Sequence, residues 1–261
     1  MIKISVPGKV HLIGEHTVVY GKPALISAIS LRVYLTIGKK MADYTFKTEL
    51  PKGTGLGSSA AVSAAVIAAM LTYFKVNWDK DLVNKLTFEA EKIFHGKPSG
   101  GDNTTVIFGG IINFQNGVSS PIKSKLQKLV LINSGEPAET TKEMLGVAKP
   151  NINSILDSQE KLTQQMELAL KQGDDLREII KKAEKNLEKI GVVGKIAKKI
   201  VRDIENLGGA AKISGAGGLR KGSGMLLCYH KNPKKILDYA KKNDLPSFNI
   251  KLGAEGLKLR S

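Results

Sequence analysis

Residues 51–61 read Pro-Lys-Gly-Thr-Gly-Leu-Gly-Ser-Ser-Ala-Ala, the most informative stretch of the chain. Glycines alternate at positions 53, 55 and 57, and an Ala-rich apolar segment follows as far as Phe74. Glycine adopts left-handed backbone conformations at little cost and lets backbone N–H groups approach a ligand closely. The N-terminus of the following helix would add unpaired N–H groups and the positive end of its dipole. The stretch therefore predicts a loop that holds phosphate groups.

A simpler interpretation explains this stretch about equally well: a glycine-rich turn in which Ser58 caps a core helix. The loop lacks the Gly-Lys-Ser/Thr ending of a P-loop, and its glycine spacing differs from that of a dinucleotide-binding fingerprint. A nucleotide bound here would therefore need a lysine and metal ligands from elsewhere in the chain.

Composition is that of an ordinary globular protein, with 42% hydrophobic and 25% charged residues in 261. This length allows one large core or two modest cores, and two are slightly favoured. The apolar run at 60–74 is too short to cross a bilayer, and residues 1–6 alternate like a strand instead of forming a signal peptide. The single cysteine, Cys228, excludes internal disulfides. We therefore expect a cytoplasmic protein with no membrane partner.

The net charge of +16 comes from 40 Lys and Arg residues against 24 Asp and Glu residues. Such a surplus fits a nucleic-acid-binding protein, but the basic residues are spread along predicted helices and aromatic residues make up only 5%. We therefore expect no nucleic-acid partner. A basic field would equally attract small polyanions such as ATP to a cleft.

Hydrophobic periodicity divides the chain into two halves of mixed α and β structure, with a boundary between Asn116 and Lys128. Helices are predicted at 58–74, 80–95, 151–172, 174–189, 192–207 and 233–243. Strands are predicted at 2–6, 24–29, 32–37, 43–49, 106–108, 110–114, 129–133, 225–229 and 248–252. The pattern indicates an α+β fold, with a small antiparallel sheet in the second half.

Three further stretches carry groups suited to chemistry. Residues 7–21 set charged and imidazole side chains between glycines directly after a strand, which is poor core material. In residues 91–103, Glu91 on a helix and Asp102 after a Pro/Gly-rich turn offer two carboxylates that suit Mg²⁺. Residues 212–218 form a second glycine-rich turn. Two such loops in one chain are harder to explain as ordinary turns than one.

The stretches PGKVHLIGEHTVVYG, PKGTGLGSSAA and KISGAGG, in this order, resemble the three signature motifs of the GHMP kinases. Within that superfamily, the GEH-x-VV-x-G run at 14–21 and the HGKPSGGDN run at 95–103 are most similar to mevalonate kinases of the compact archaeal type. Galactokinases share the GEH but usually follow it with an Asp-containing sugar-binding segment, which is missing here. The resemblance covers nearly the whole chain.

This resemblance implies a two-lobed GHMP kinase fold with the active site in the cleft between the lobes. Residues 1–122 would form an ATP-binding lobe of ribosomal-protein-S5-domain-2-like type, and residues 123–261 a ferredoxin-like lobe. The implied reaction is ATP-dependent phosphorylation of the primary 5-hydroxyl of mevalonate, in isoprenoid biosynthesis. A homodimer is compatible with it.

The resemblance also implies roles for individual residues. Asp102 would accept the proton of the substrate hydroxyl, and Lys9 would keep Asp102 ionised and stabilise the transferring charge. Glu15 and His16 would organise the acceptor pocket together with Asp102, with His16 hydrogen-bonding mevalonate. Two bland interpretations stay open: Glu15 could simply pair with Lys9, and His11 is expected to be structural.

ATP and Mg²⁺ would be held by the two glycine-rich loops and by Glu91, which would ligate Mg²⁺ together with Ser58. The expected phosphate-binding residues are Gly53, Thr54, Gly55, Leu56, Gly57, Ser58, Ser59, Ala60, Gly215, Ala216 and Gly217.

Two departures from the family pattern leave questions open. Residues 219–223 interrupt the third motif, and the segment 32–51 is short where relatives carry an insertion that helps wall the adenine pocket. Another GHMP kinase, such as a phosphomevalonate kinase or a mevalonate 3-kinase, is the main alternative, and an RNA-binding protein is a second. Lys9, His16 and Asp102 together favour the primary-alcohol reaction.

Overall fold

The computed structural model describes residues 1–95, 98–125 and 128–260, which form two antiparallel sheets and eight α-helices. The strands are β1 (Ile2–Ile13), β2 (Ala24–Ile37), β3 (Tyr44–Thr48), β4 (Ile111–Gln115), β5 (Val118–Ile122), β6 (Lys128–Asn133), β7 (Ala210–Ser214), β8 (Met225–Tyr229), β9 (Ser247–Lys251) and β10 (Lys258–Arg260). The helices are α1 (Ser58–Tyr73), α2 (Lys80–His95), α3 (Gly101–Phe108), α4 (Thr141–Ala148), α5 (Leu156–Gln172), α6 (Arg177–Lys189), α7 (Lys195–Asn206) and α8 (Pro233–Lys242).

The first sheet has the order β10-β1-β2-β4-β5, and β3 pairs with the second half of β2. Its two long strands, β1 and β2, pair with register shifts between Pro7 and Lys9 and between His11 and Ile13. Because side chains alternate along a strand, Lys9 and His11 share one face of β1. Val10 lies between them in the sequence and is fully buried in the core. The start of the first motif is thus built into a long strand of this sheet.

Helix α1 lies against β1 and β2 through small side chains. Its buried residues are Ala60, Ala61, Ala64, Ala65, Ala68 and Ala69. Alanine lets a helix approach a neighbouring element closely, so the N-terminus of α1 sits near the end of β1 that carries Lys9. Helices α2 and α3 pack beside α1.

The second sheet has the order β7-β8-β6-β9 and both of its faces are buried. Side chains at 130, 132, 211, 213, 226 and 228 pack in one core cluster with α4, α7 and α8. Side chains at 129, 131, 210, 225 and 227 belong instead to a cluster that includes α5, α6 and the first sheet. The two halves of the described chain therefore share a core, and the face of β7 that carries Lys212 and Ser214 turns toward β1.

The α+β architecture predicted from the sequence is confirmed, with local corrections. The predicted strand at 106–108 is wrong, because these residues end helix α3, which begins after Gly100 at φ 91° and ends at Phe108, before Gly109. The predicted strands at 24–29 and 32–37 are one continuous strand, β2, and helix α4 was not predicted. The division of the lobes at residue 122 stays a prediction, and β10 returns to pair with β1. Within the described part of the chain, no helix has both the length and the apolar character to cross a membrane.

Candidate active site

Lys9 and Asp102 form an ion pair where β1 meets the N-terminus of α3. Lys9 Nζ lies 2.9 Å from Asp102 Oδ2, and the two side chains are 3% and 37% exposed. Asp102 stands in the first turn of α3, where the helix dipole favours a negative charge. The arrangement couples a buried ammonium group to a partly exposed carboxylate, and the two side chains lie side by side as the sequence analysis expected.

The first glycine-rich loop folds around this lysine. Gly53, Gly55 and Gly57 have φ values of 70°, 82° and 69°, which only glycine adopts readily. A Cβ on Gly57 would lie 2.7 Å from Lys9 Cγ, and a Cβ on Gly55 would lie 2.9 Å from the carbonyl oxygen of Ser214. Gly57 precedes α1 without a side-chain cap, so the first N–H groups of α1 face the loop. This geometry supports a phosphate cradle rather than a capped turn.

The other loop residues divide into anchors and helix-end groups. Thr54 is buried and its hydroxyl donates to the carbonyl of Pro51 at 2.9 Å. Leu56 is buried, and its carbonyl accepts a hydrogen bond from the backbone N–H of Lys9 at 2.9 Å. Ser58, Ser59 and Ala60 open α1, the two serines being half-buried.

The second glycine-rich loop, residues 215–218, lies directly against the first. A Cβ on Gly215, which has φ 117°, would lie 3.6 Å from Gly55 Cα. Ser214 Oγ accepts from the backbone N–H of His11 and donates to its carbonyl, both at 3.1 Å. His16 Nε2 donates to the carbonyl oxygen of Ala216 at 3.0 Å. The structure therefore brings all three motif stretches to one place.

Glu91 is 3% exposed and reaches the start of α1, where Ser59 Oγ donates to Glu91 Oε1 at 2.6 Å. Ser58, predicted as the serine ligand of a metal, is the adjacent residue. Across the described ranges, no three His, Cys, Asp or Glu side chains cluster as a metal site by themselves. One carboxylate and neighbouring hydroxyls are hard oxygen donors that suit Mg²⁺ when phosphates and water supply the other ligands. Gly96 and Lys97 of the 95–103 motif lie outside the described residues.

Glu15 is buried in an ion pair that the sequence did not reveal. Its carboxylate accepts a hydrogen bond from Lys212 Nζ, which also donates to the carbonyl of Ile213 at 2.7 Å. Burial raises the pKa of Glu15, and Lys212 opposes that rise. The simple pairing of Glu15 with Lys9 is therefore not the one observed. A single lysine in the otherwise apolar run 210–213 was the one available signal for Lys212.

Both histidines of the first motif are buried and neutral. Burial lowers the pKa of His16 to about 4, against the opposing effect of its hydrogen bond to Ala216. Burial, then the charge of Lys9, lowers the pKa of His11 to about 3. A carbonyl oxygen only accepts, so His16 carries its proton on Nε2 and presents an unprotonated Nδ1. That Nδ1 atom is buried without a hydrogen-bond partner in the described structure.

The segment that interrupts the third motif is tied to the surface beside the site. Glu139 accepts from the backbone N–H groups of Leu219 and Arg220 at 3.1 and 3.3 Å, and from Arg220 Nε at 2.8 Å. Arg220 is 67% exposed and directed to Glu139. These contacts fit a surface loop that leaves the glycine-rich turn before it intact.

Comparison with known proteins supplies relatives for this arrangement. The chain matches the GHMP kinases N terminal domain over residues 24–110 and a galactokinase galactose-binding signature over residues 2–39. A mevalonate kinase from Archaeoglobus fulgidus is 30% identical over 260 residues, covering 82% of this chain and 88% of the relative.

Two solved structures resemble the fold. Methanococcus jannaschii mevalonate kinase superposes with a TM-score of 0.86 at 23% identity, covering 96% of this chain and 98% of that one. L. major mevalonate kinase in complex with R-mevalonate superposes with a TM-score of 0.78 at 23% identity, covering 97% and 96%. Both likenesses extend over the second half of the chain, which the N-terminal domain match leaves out.

Proposed function

Because this chain belongs to the mevalonate kinases of the GHMP superfamily, we propose that its Lys9–Asp102 pair carries the phosphorylation of mevalonate by ATP. The enzyme acts on the primary 5-hydroxyl in the mevalonate pathway of isoprenoid biosynthesis. The observation that carries the assignment is the ion pair itself, whose lysine lies against the first glycine-rich loop.

Asp102 is proposed as the base that takes the proton of the 5-hydroxyl. Its carboxylate is 37% exposed, so an alcohol can reach it, whereas the ammonium group of Lys9 lies behind it and is nearly buried. A positioned base contributes about 10²–10⁴-fold to a proton transfer. Lys9 would hold Asp102 ionised and stabilise negative charge on the transferring phosphoryl group.

The phosphates of ATP would bind across the two glycine-rich loops and the N-terminus of α1. Phosphoryl transfer requires positioned phosphates and neutralised charge more than covalent chemistry from the protein. The positive φ values at Gly53, Gly55 and Gly57, and the close approach of Gly215 to Gly55, support this placement.

Mg²⁺ is proposed to bind at Glu91 and Ser58, close to the start of α1, where the hydroxyl of the adjacent Ser59 donates to Glu91 Oε1 at 2.6 Å. A bound Mg²⁺ would neutralise phosphate charge.

His16 is proposed to bind the acceptor, because its buried Nδ1 can accept a hydrogen bond from a hydroxyl group. Glu15 is proposed to contribute to the acceptor pocket without contacting the acceptor. Its carboxylate is buried in the ion pair with Lys212, and this pair would hold the backbone next to His16 in place. The left-handed φ of 63° at His16 is a strained conformation that such an anchor would maintain.

A turnover screen tests this proposal. ATP consumption is measured with mevalonate, phosphomevalonate, homoserine and galactose, and NMR identifies the phosphorylated carbon of the product. We expect rapid turnover with mevalonate alone and phosphate on the 5-oxygen. Turnover confined to phosphomevalonate, or a product phosphorylated on the tertiary hydroxyl, would replace the proposal with one of the related kinases.

Three finer expectations stay proposals: a cytoplasmic location, a homodimer and no nucleic-acid partner. Light scattering across a concentration series tests the dimer. RNA filter binding at physiological salt tests whether the protein has a nucleic-acid partner, because electrostatic binding to nucleic acid weakens steeply as salt rises.

A further inference from the structure

The imidazole of His11 lies beside both members of the Lys9–Asp102 pair. Lys9 Nζ is 3.2 Å from His11 Nδ1, and His11 Nε2 is 3.9 Å from Asp102 Oδ1. The ring comes from the same face of β1 as Lys9, two residues later. The sequence predicted a structural histidine, whereas the structure places its ring beside the ion pair.

The contacts of Lys9 show what His11 does. An ammonium group has three N–H donors and no acceptor, so Nδ1 of His11 must be the accepting atom. One N–H points to Asp102 at 2.9 Å and a second to His11 at 3.2 Å. Because the three donors are arranged tetrahedrally, fixing two of them fixes the direction of the third. His11 thereby determines where Lys9 aims its remaining N–H.

The protonation state of His11 suits this role. Burial and the charge of Lys9 lower its pKa to about 3, with smaller lowering effects from Lys212 and His16 and an opposing effect from Asp102. The ring is therefore neutral at any pH where the enzyme would work, with its lone pair on Nδ1 and its proton on Nε2. Nε2 has no hydrogen-bond partner in the described structure, and 3.9 Å is too long for one to Asp102.

The backbone of His11 is held from the opposite half of the chain. Ser214 Oγ bonds both its N–H and its carbonyl at 3.1 Å, at the register shift between His11 and Ile13. Ser214 directly precedes the second glycine-rich loop. A chain of hydrogen bonds therefore links the start of that loop to the backbone of His11, and the ring of His11 to Lys9. These hydrogen bonds hold the backbone of His11 in place, and the backbone position determines where the ring begins.

We propose that His11 is a positioning residue for phosphoryl transfer, which accepts a hydrogen bond from Lys9 at Nδ1 and aims the lysine at the transferring phosphoryl group. This inference rests on the proposed role of Lys9 and concerns the rate of the chemical step. His11 would not bind mevalonate or ATP itself, so its loss should act on kcat and leave both KM values nearly unchanged.

Three variants test the role by what they place at the Nδ1 position. Asparagine puts an amide oxygen near Nδ1, glutamine puts its amide near Nε2, and leucine keeps apolar volume with no acceptor. We expect His11→Leu and His11→Gln to lower kcat by about 10- to 100-fold, the range for losing a hydrogen bond to a charged group. His11→Asn should recover most of that loss. Melting temperatures of all three variants control for folding.

A double-mutant comparison separates positioning from a merely structural effect. If His11 acts through Lys9, then His11→Leu should change kcat little in a Lys9→Met background. Additive losses would overturn the inference, and so would equal kcat for the asparagine and glutamine variants or an effect confined to KM. Should His11→Leu fail to fold, the asparagine and glutamine variants still decide the question. A wild-type enzyme without mevalonate turnover would instead defeat the proposed function, so the two failures are distinguishable.

Discussion

Replacing Lys212 with methionine should strongly destabilise the protein, because it leaves a buried carboxylate without its counter-charge. Lys212 and Glu15 side chains are 0% and 1% exposed, and Lys212 supplies the main effects that oppose the raised pKa of Glu15. Methionine matches the length of the lysine stem, so the substitution opens little space. The loss therefore reports the charge and its hydrogen bonds, including the one to the carbonyl of Ile213.

The expected loss is about 3–5 kcal/mol, the range for breaking a buried ion pair by removing one partner. That is a large share of the ~5–15 kcal/mol by which folded domains are usually stable. Replacing both partners by apolar residues is often neutral. The double variant Glu15→Met/Lys212→Met should therefore lie within ~1 kcal/mol of wild type.

The assay is urea unfolding followed by circular dichroism at neutral pH. Arg220→Met is the matched control, since it breaks an ion pair whose arginine is 67% exposed, and it should barely shift the midpoint. The reasoning is refuted if Lys212→Met shifts the midpoint no further than Arg220→Met, or if the double variant is no more stable than the single one.

Three further predictions follow from the site and its surroundings. Burial raises the pKa of Glu184 from 4.5 to about 8. The contribution of the neutral Glu184 carboxyl group to the free energy of unfolding is therefore fully present below pH 4.5 and is lost as the pH rises through about 8. Glu184→Gln should flatten the fall in melting temperature across that window. Gly57→Ala should lower kcat by ~10²-fold, since its Cβ would lie 2.7 Å from Lys9 Cγ. Gly117→Ala, at a similar positive φ with open space around it, should leave kcat unchanged. Raising salt past ~0.1 M should raise KM for ATP modestly and leave kcat nearly intact, as expected if the basic surplus attracts anions from a distance.

The glycine-rich loop and the helix after it could be predicted from the sequence because their signals are local. Alternating glycines and an alanine-rich run specify a turn and a closely packed helix without reference to the rest of the chain. Helix α3 was wrongly predicted as a strand because its local side-chain pattern disagrees with the structure that its packing favours. Its run Thr104-Thr105-Val106-Ile107 has strand-like side chains, and it is helical because Gly100 starts the turn and the apolar residues pack against the first sheet.

The ion-pair partners within the site lay beyond sequence reasoning. Lys212 and Glu15 are 197 residues apart, and nothing in either local pattern says that β7 faces β1. Glu91 shows the limit at finer scale, because the sequence did not predict that its carboxylate accepts a hydrogen bond from Ser59. Neighbouring residues on a helix point about 100° apart, so a motif locates the turn but not which hydroxyl reaches its partner.

Mevalonate turnover by Asp102→Asn tests the central claim most directly, because it removes the proposed base and the charge partner of Lys9 while keeping the shape of the side chain. Steady-state kinetics should show kcat lowered by ~10²–10⁴-fold with KM for ATP little changed. Asp238→Asn, at an exposed position on α8, should turn over like wild type. An Asp102→Asn enzyme that phosphorylates mevalonate at a near-wild-type rate would contradict the account.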